Sequence, residues 1–177
     1  MIWASTYLCD CHGFSLDTGA KFASLTYIGI TVGRAICGFF ADKIGDKRLI
    51  RWGLVVMFLG IVLMIVSTFT IRELALAGLL IFGFGCSPVY PCIIHATPDN
   101  FGADKASAII GMQMAFAYTG IAAMPPLFGL IAQKYVFTLP YYILALCILL
   151  VVFSEIVNKV AAKARENQNL SADASNE

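Results

Sequence analysis

Few side chains in this sequence could do chemistry, and most of those stand inside otherwise apolar runs. The tightest cluster is Cys9-Asp10-Cys11-His12. Two thiols and an imidazole could hold a soft metal ion, but neither a clear fourth ligand nor the spacing of zinc motifs accompanies them, so no metal centre is expected. Cys37, Cys86, Cys92 and Cys147 lie within apolar stretches, where a thiol serves as a small hydrophobe. The histidines are His12 and His95, the latter placed by its position at a helix end, where a positive ring suits the dipole. No H-E-x-x-H, G-x-S-x-G or P-loop occurs, so neither an enzyme nor a cofactor is expected.

Other polar groups suit recognition better than catalysis. Arg34 is the one basic residue within an apolar span. A guanidinium at that depth must snorkel, pair or line water, since burial in lipid costs ~3 kcal/mol or more. It reads equally as a gate or solute contact and as one half of a structural pair with Asp42, eight residues on. Pro88 and Pro91 interrupt another span. Each removes a backbone donor and crowds the preceding turn, and such breaks persist in lipid where neighbours or a water-filled cavity satisfy the freed carbonyls. Broken helices near the midplane are also where transporters place solutes, which makes Tyr90 a candidate pocket residue. Trp3, Tyr7, Tyr27, Thr31, Gln113 and Tyr118 complete the set. Hydroxyls, an amide and aromatic faces are what a polar-solute site uses, although each alone also fits an interfacial belt or an interhelical bond.

The elements that must position these groups are membrane helices. Of 177 residues, 59% are hydrophobic and 13% charged, with a mean hydropathy of +0.81. A soluble domain has roughly 25% charged residues. The net charge of +1 offers no field for nucleic acid. About 20 apolar residues cross a ~30 Å core, and five stretches do so, near 20–41, 49–70, 74–95, 107–132 and 139–158. Residues 2–9 add a partial span, and 159–177 form a polar tail expected to be disordered. Lys43, Lys47, Arg48, Arg51, Lys105, Lys159, Lys163 and Arg165 flank one side of these spans, against Lys21, Arg72 and Lys134 on the other. The positive-inside rule then places the C-terminus in the cytoplasm of a multi-pass plasma-membrane protein. Gly29 and Gly33 have the spacing of a close helix contact, and Glu155 and Lys159 that of an i,i+4 pair.

The loop between the first two complete spans carries the most specific signal. Gly38, Asp42, Lys43, Gly45, Lys47 and Arg48 reproduce a G-x-x-x-D-[RK]-x-G-x-[RK]-[RK] pattern. Gly38 would admit a neighbouring backbone, Gly45 would supply the positive φ of a tight turn, and Asp42 could meet the positive end of another helix. This pattern resembles the gating loop of the major facilitator superfamily. The segments 83–91, 111–114 and 124–129 are similar to the tenth and eleventh spans of fucose-permease-like facilitators, and 3–8 to the outer end of their seventh.

The resemblance implies an all-α membrane domain of about five complete helices and a partial one, most of one six-helix repeat. Its members have twelve spans in two halves. The expected partners are therefore membrane lipid, a small-molecule solute and an N-terminal six-helix half, encoded in the same gene or on a neighbouring chain. The expected activity is transport of a small polar solute, a sugar by this resemblance, through alternating access. The alternative is a truncated or decayed transporter copy, or a small membrane scaffold without transport of its own.

Overall fold

A computed structural model describes residues 3–174, with the side chains of 40–42, 103, 161 and 163–174 outside the description. Among the described residues every regular element is helical. A short α1 (Ala4–His12) ends at Gly13, whose φ of 66° lets the chain turn into α2 (Leu16–Ile44). Then follow α3 (Asp46–Ser67), α4 (Glu73–Cys86), α5 (Val89–Phe101) and α6 (Ala103–Tyr135). A single 3-10 turn, Val136–Thr138, leads into α7 (Leu139–Ala174), which continues from the last apolar span into the polar segment. Four stretches are long and apolar enough to cross a membrane, and the last of them, Asp104–Val160, contains both α6 and α7. By length and composition that makes five candidate crossings, with α4 and α5 as the two halves of one. The apolar runs become helices because only a helix satisfies its own backbone in lipid.

The bundle is organised around α3 and α4, which touch along their backbones. A Cβ built on Gly60 would lie 2.5 Å from Phe82 N, and one on Gly85 2.5 Å from Met57 N. Gly53 and Gly78 complete the seam, facing Gly85 O at 2.9 Å and Gly60 O at 2.8 Å. Small residues at facing positions let membrane helices gain dispersion contact, the main attraction left once lipid surrounds both. The α2 helix joins through Gly33, which sits against Ser87, and through Thr26, which fits over Gly83. Two clusters fill the remainder. One, around Tyr7, Leu8, Met64, Leu79 and Phe128, lies toward the α1 end, and the other, around Leu54, Met57, Ile61, Val89 and Cys147, lies toward the basic end.

Three expectations are corrected here. Gly29 and Gly33 do not act together, because Gly33 meets Ser87 whereas no described atom lies within 4 Å of a Cβ on Gly29. Glu155 does not pair along its own helix. It reaches Arg51 on α3 at 3.7 Å, both side chains being more than half exposed, so the pair adds little. His95 is not at a helix end. The chain stays helical through Pro98 to Phe101, stopping at Gly102, where φ is 86°, and His95 Nδ1 instead meets Asp46 Oδ2 at 2.9 Å in the first turn of α3.

Candidate solute-facing site

The third crossing breaks at its centre. Pro88 and Pro91 supply no N–H, so the carbonyls of Phe84 and Ser87 lose their usual donors four residues on. The Ser87 hydroxyl donates to Phe84 O at 2.7 Å and recovers one of them. The helix resumes at Val89 with a fresh turn, Cys92 N donating to Pro88 O at 3.1 Å. Ser87 and Pro88 are buried, while Tyr90 in the first turn of α5 is half-buried.

The contact between Gly33 and Ser87 brings the middle of α2 to this break. Arg34 follows Gly33 directly. Arg34 stands ten residues before the end of α2 at Ile44. The apolar stretch of α2 ends at Phe39, five residues or ~7.5 Å beyond Arg34 at 1.5 Å per residue. Its side chain is exposed, as are Tyr27 and Thr31. Positions 27, 31, 34 and 38 follow the i, i+4, i+7, i+11 series, so these residues share one face of the helix. Thr31 Oγ1 donates to Tyr27 O at 3.0 Å, which leaves its lone pairs available. Buried residues of α2, such as Thr26 and Gly33, occupy a different face, about 120° around the helix. Thus α2 packs by one side and presents a polar stripe on another, at the depth of the helix break.

The other expected site residues fall into separate places. Tyr7 is 1% exposed, and its hydroxyl lies 3.1 Å from both Met64 O and His12 Nε2. It ties α1 to α3 and does not join the stripe. Trp3 donates from Nε1 to Pro125 O at 3.0 Å and packs edge-on against Phe128. It borders a 390 Å³ cavity with Met57, Phe82, Met124, Phe128 and Tyr142. That cavity is apolar, since the Tyr142 hydroxyl is also occupied, by Met124 O at 3.4 Å, and it does not suit a hydroxyl-rich solute. The Gln113 amide donates from Nε2 to Thr97 Oγ1 across α5 and α6 at 3.2 Å. Tyr118 projects from α6 and is 67% exposed.

At the basic end, Gly45 has φ 85° and ψ 139°, which lets the chain reverse directly from α2 into α3. Lys43, Lys47 and Arg48 border an open cavity shared with His95 and Asp99. No described atom comes within 4 Å of a Cβ on Gly38, so in this bundle it admits no neighbour. The Asp42 side chain lies outside the described residues.

Residues 5–173 match the family profile of the Major Facilitator Superfamily. The chain belongs to that superfamily. It is also similar to an uncharacterized MFS-type transporter from Yersinia pestis, 25% identical over 152 residues. The match takes in 86% of this chain and 39% of that protein, so the chain spans well under half of the relative's length. No solved structure matches it. Its place is therefore among the multi-pass membrane proteins of that superfamily.

Several polar residues carry no functional signal in the sequence alone. Thr97 and Ser87 are ordinary small residues in an apolar run until their partners on other helices are known. Asp46 reads as part of the basic loop, yet its side chain is mostly buried and its Oδ2 meets His95. His12 turns its ring from the cysteines toward Tyr7 and Ser67. The one available signal is that each is a polar residue beside an apolar span.

Proposed function

We propose that this chain moves a small polar solute across the plasma membrane by alternating access, as one bundle of a two-bundle facilitator. The observation that carries this reading is the outward polar stripe of α2, Tyr27-Thr31-Arg34, level with the break at Ser87–Pro88. Lipid cannot hydrogen-bond such a surface. A second bundle facing it would enclose the stripe and the break between two repeats, the arrangement in which facilitators hold their solutes. Membership of the superfamily and the partial coverage of the Yersinia relative support a second bundle. The fucose-permease-like segments favour a sugar or sugar derivative. The excess of basic flanks orients the bundle with the α2–α3 turn and the C-terminus in the cytoplasm. Asp42 and the basic residues after it then act at the cytoplasmic mouth.

The test is solute uptake into proteoliposomes. The chain alone is expected to show no saturable uptake, and uptake is expected on co-reconstitution with a matching N-terminal six-helix half. Arg34→Ala should abolish that uptake without loss of reconstituted protein. Uptake unaffected by Arg34→Ala would remove the stripe from the solute path. An inert complex of both halves would favour a membrane scaffold.

A further inference from the structure

Among the described residues Arg34 has no acidic counterpart. Between Lys21 and Asp42 it is the sole charged residue of α2. No Asp or Glu occurs in α3 after Asp46, in α4 and α5 between Glu73 and Asp99, in α6 after Asp104, or in α7 before Glu155. The carboxylates nearest in sequence therefore belong to helix ends, while Arg34 is held beside the helix break by the contact of Gly33 with Ser87.

A guanidinium so placed needs water and an anion. Its planar fork suits two oxygens of one carboxylate or phosphate group. One and two turns toward the α1 end, Thr31 and Tyr27 share its face and add hydroxyls that neutral parts of the same molecule could meet. We infer that the solute is an organic anion, whose carboxylate or phosphate is received by Arg34 and whose hydroxylated body lies along Thr31 and Tyr27. This rests on the transport reading above and makes its solute specific, replacing a neutral sugar with an acidic one. The alternative source of negative charge is a carboxylate from a second bundle.

Charge-selective labelling separates these. In the whole protein in membrane vesicles, Thr31→Cys is treated with an anionic (sulfonatoethyl) and a cationic (trimethylammonioethyl) methanethiosulfonate, and modification is read on the peptide that carries residue 31. Tyr27→Cys supplies a second reporter should the first variant express poorly. The anionic reagent is expected to react faster. Arg34→Gln should lower the anionic-to-cationic rate ratio about ten-fold, as a full charge one turn away dictates in wet surroundings, and Arg34→Lys should keep most of it. A ratio unmoved by Arg34→Gln would mean that a carboxylate already neutralises the site, and the inference falls. Protection of both cysteines from both reagents would mean a face sealed against solute, which overturns the inference equally. Uptake measured in parallel keeps the two readings apart. Uptake with an unmoved ratio sinks the anion and spares transport, whereas selective labelling without uptake of any solute sinks transport alone.

Discussion

The α3–α4 seam and the outward faces of α2 and α6 use the same residue to opposite ends. Along the seam, Gly53, Gly60, Gly78 and Gly85 each hold a neighbouring backbone at a distance no Cβ would tolerate. On the outward faces, Gly29, Gly38, Gly111 and Gly120 have no described atom within 4 Å of that position. Glycine weakens a helix by ~0.5–1 kcal/mol relative to alanine, so its presence needs a return. The seam obtains one within this chain. The outward faces do not, and there the polar residues Tyr27, Thr31, Arg34 and Tyr118 are exposed as well. The contrast divides a surface already used for folding from one that no described residue of this chain covers.

The largest expected effect comes from breaking the seam. Gly60→Leu would drive a side chain into Phe82 N and Gly78 O, backbone atoms that cannot rotate away. Overpacking costs ~1–3 kcal/mol where side chains can adjust, so this variant should sit at or above the top of that range in a detergent unfolding titration. Gly29→Ala and Gly111→Ala, measured in the same way on this chain, should be neutral or slightly stabilising. Equal losses at Gly29 and Gly60 would erase the distinction. If a second bundle seats on α2 and α6, those two alanines should instead weaken co-purification of the partner half.

How much of this was legible follows from the same contrast. An apolar run long enough to span lipid has to be a helix, so the all-α class and the approximate number of crossings followed from hydropathy. Tyr27, Thr31 and Arg34 were visible because polar side chains stand out in such runs, and helical period alone puts them on one face. What remained hidden depends on register between helices. Nothing local distinguishes Gly33, which meets Ser87, from Gly29, which meets nothing described. Tyr7 and Tyr27 are both tyrosines at membrane depth, yet one is spent on Met64 O and the other is open. His95 looked terminal because Thr97 and Pro98 resemble a stop, but a proline can remain in a helix when neighbouring helices cover its freed carbonyl.

A smaller effect should come from the polar clasp between α5 and α6. Thr97 is 1% exposed, donates to Ile93 O at 2.9 Å and meets the Gln113 amide. Thr97→Val keeps the shape and removes the hydroxyl, leaving Gln113 half-buried without its partner. Interhelical bonds in membranes average ~0.6 kcal/mol by double-mutant cycles, and a loss of that order is expected. Thr97→Val and Gln113→Leu together should cost less than the sum of the two singly. Simple additivity would show that the pair is adjacent without being coupled.

The smallest effect belongs to the far end of the closed side, where α1 reaches α3 through side chains. Met64 O accepts from Tyr7 Oη at 3.1 Å and from Ser67 Oγ at 2.6 Å. Both hydroxyl protons are then committed, so His12 Nε2, at 3.1 Å from Tyr7 Oη and 3.4 Å from Ser67 Oγ, must carry a hydrogen and act as donor. Partial burial pushes the His12 pKa below its usual 6.5. The unfolded chain therefore takes up a proton more readily than the folded one, and stability should fall as pH drops from about 6.5 toward the lowered folded value, then level off. Above 7 this histidine should contribute no slope. The change is modest because the ring is only partly covered and protonation leaves the Nε2–H donor in place. His12→Asn, which offers an uncharged N–H to the same oxygens, should flatten that part of a melting-temperature profile between pH 7 and 5 while leaving the pH 7.5 value nearly unchanged. A slope in the variant equal to the parent's would assign the pH dependence to another group and leave His12 a packing residue at the α1–α3 contact.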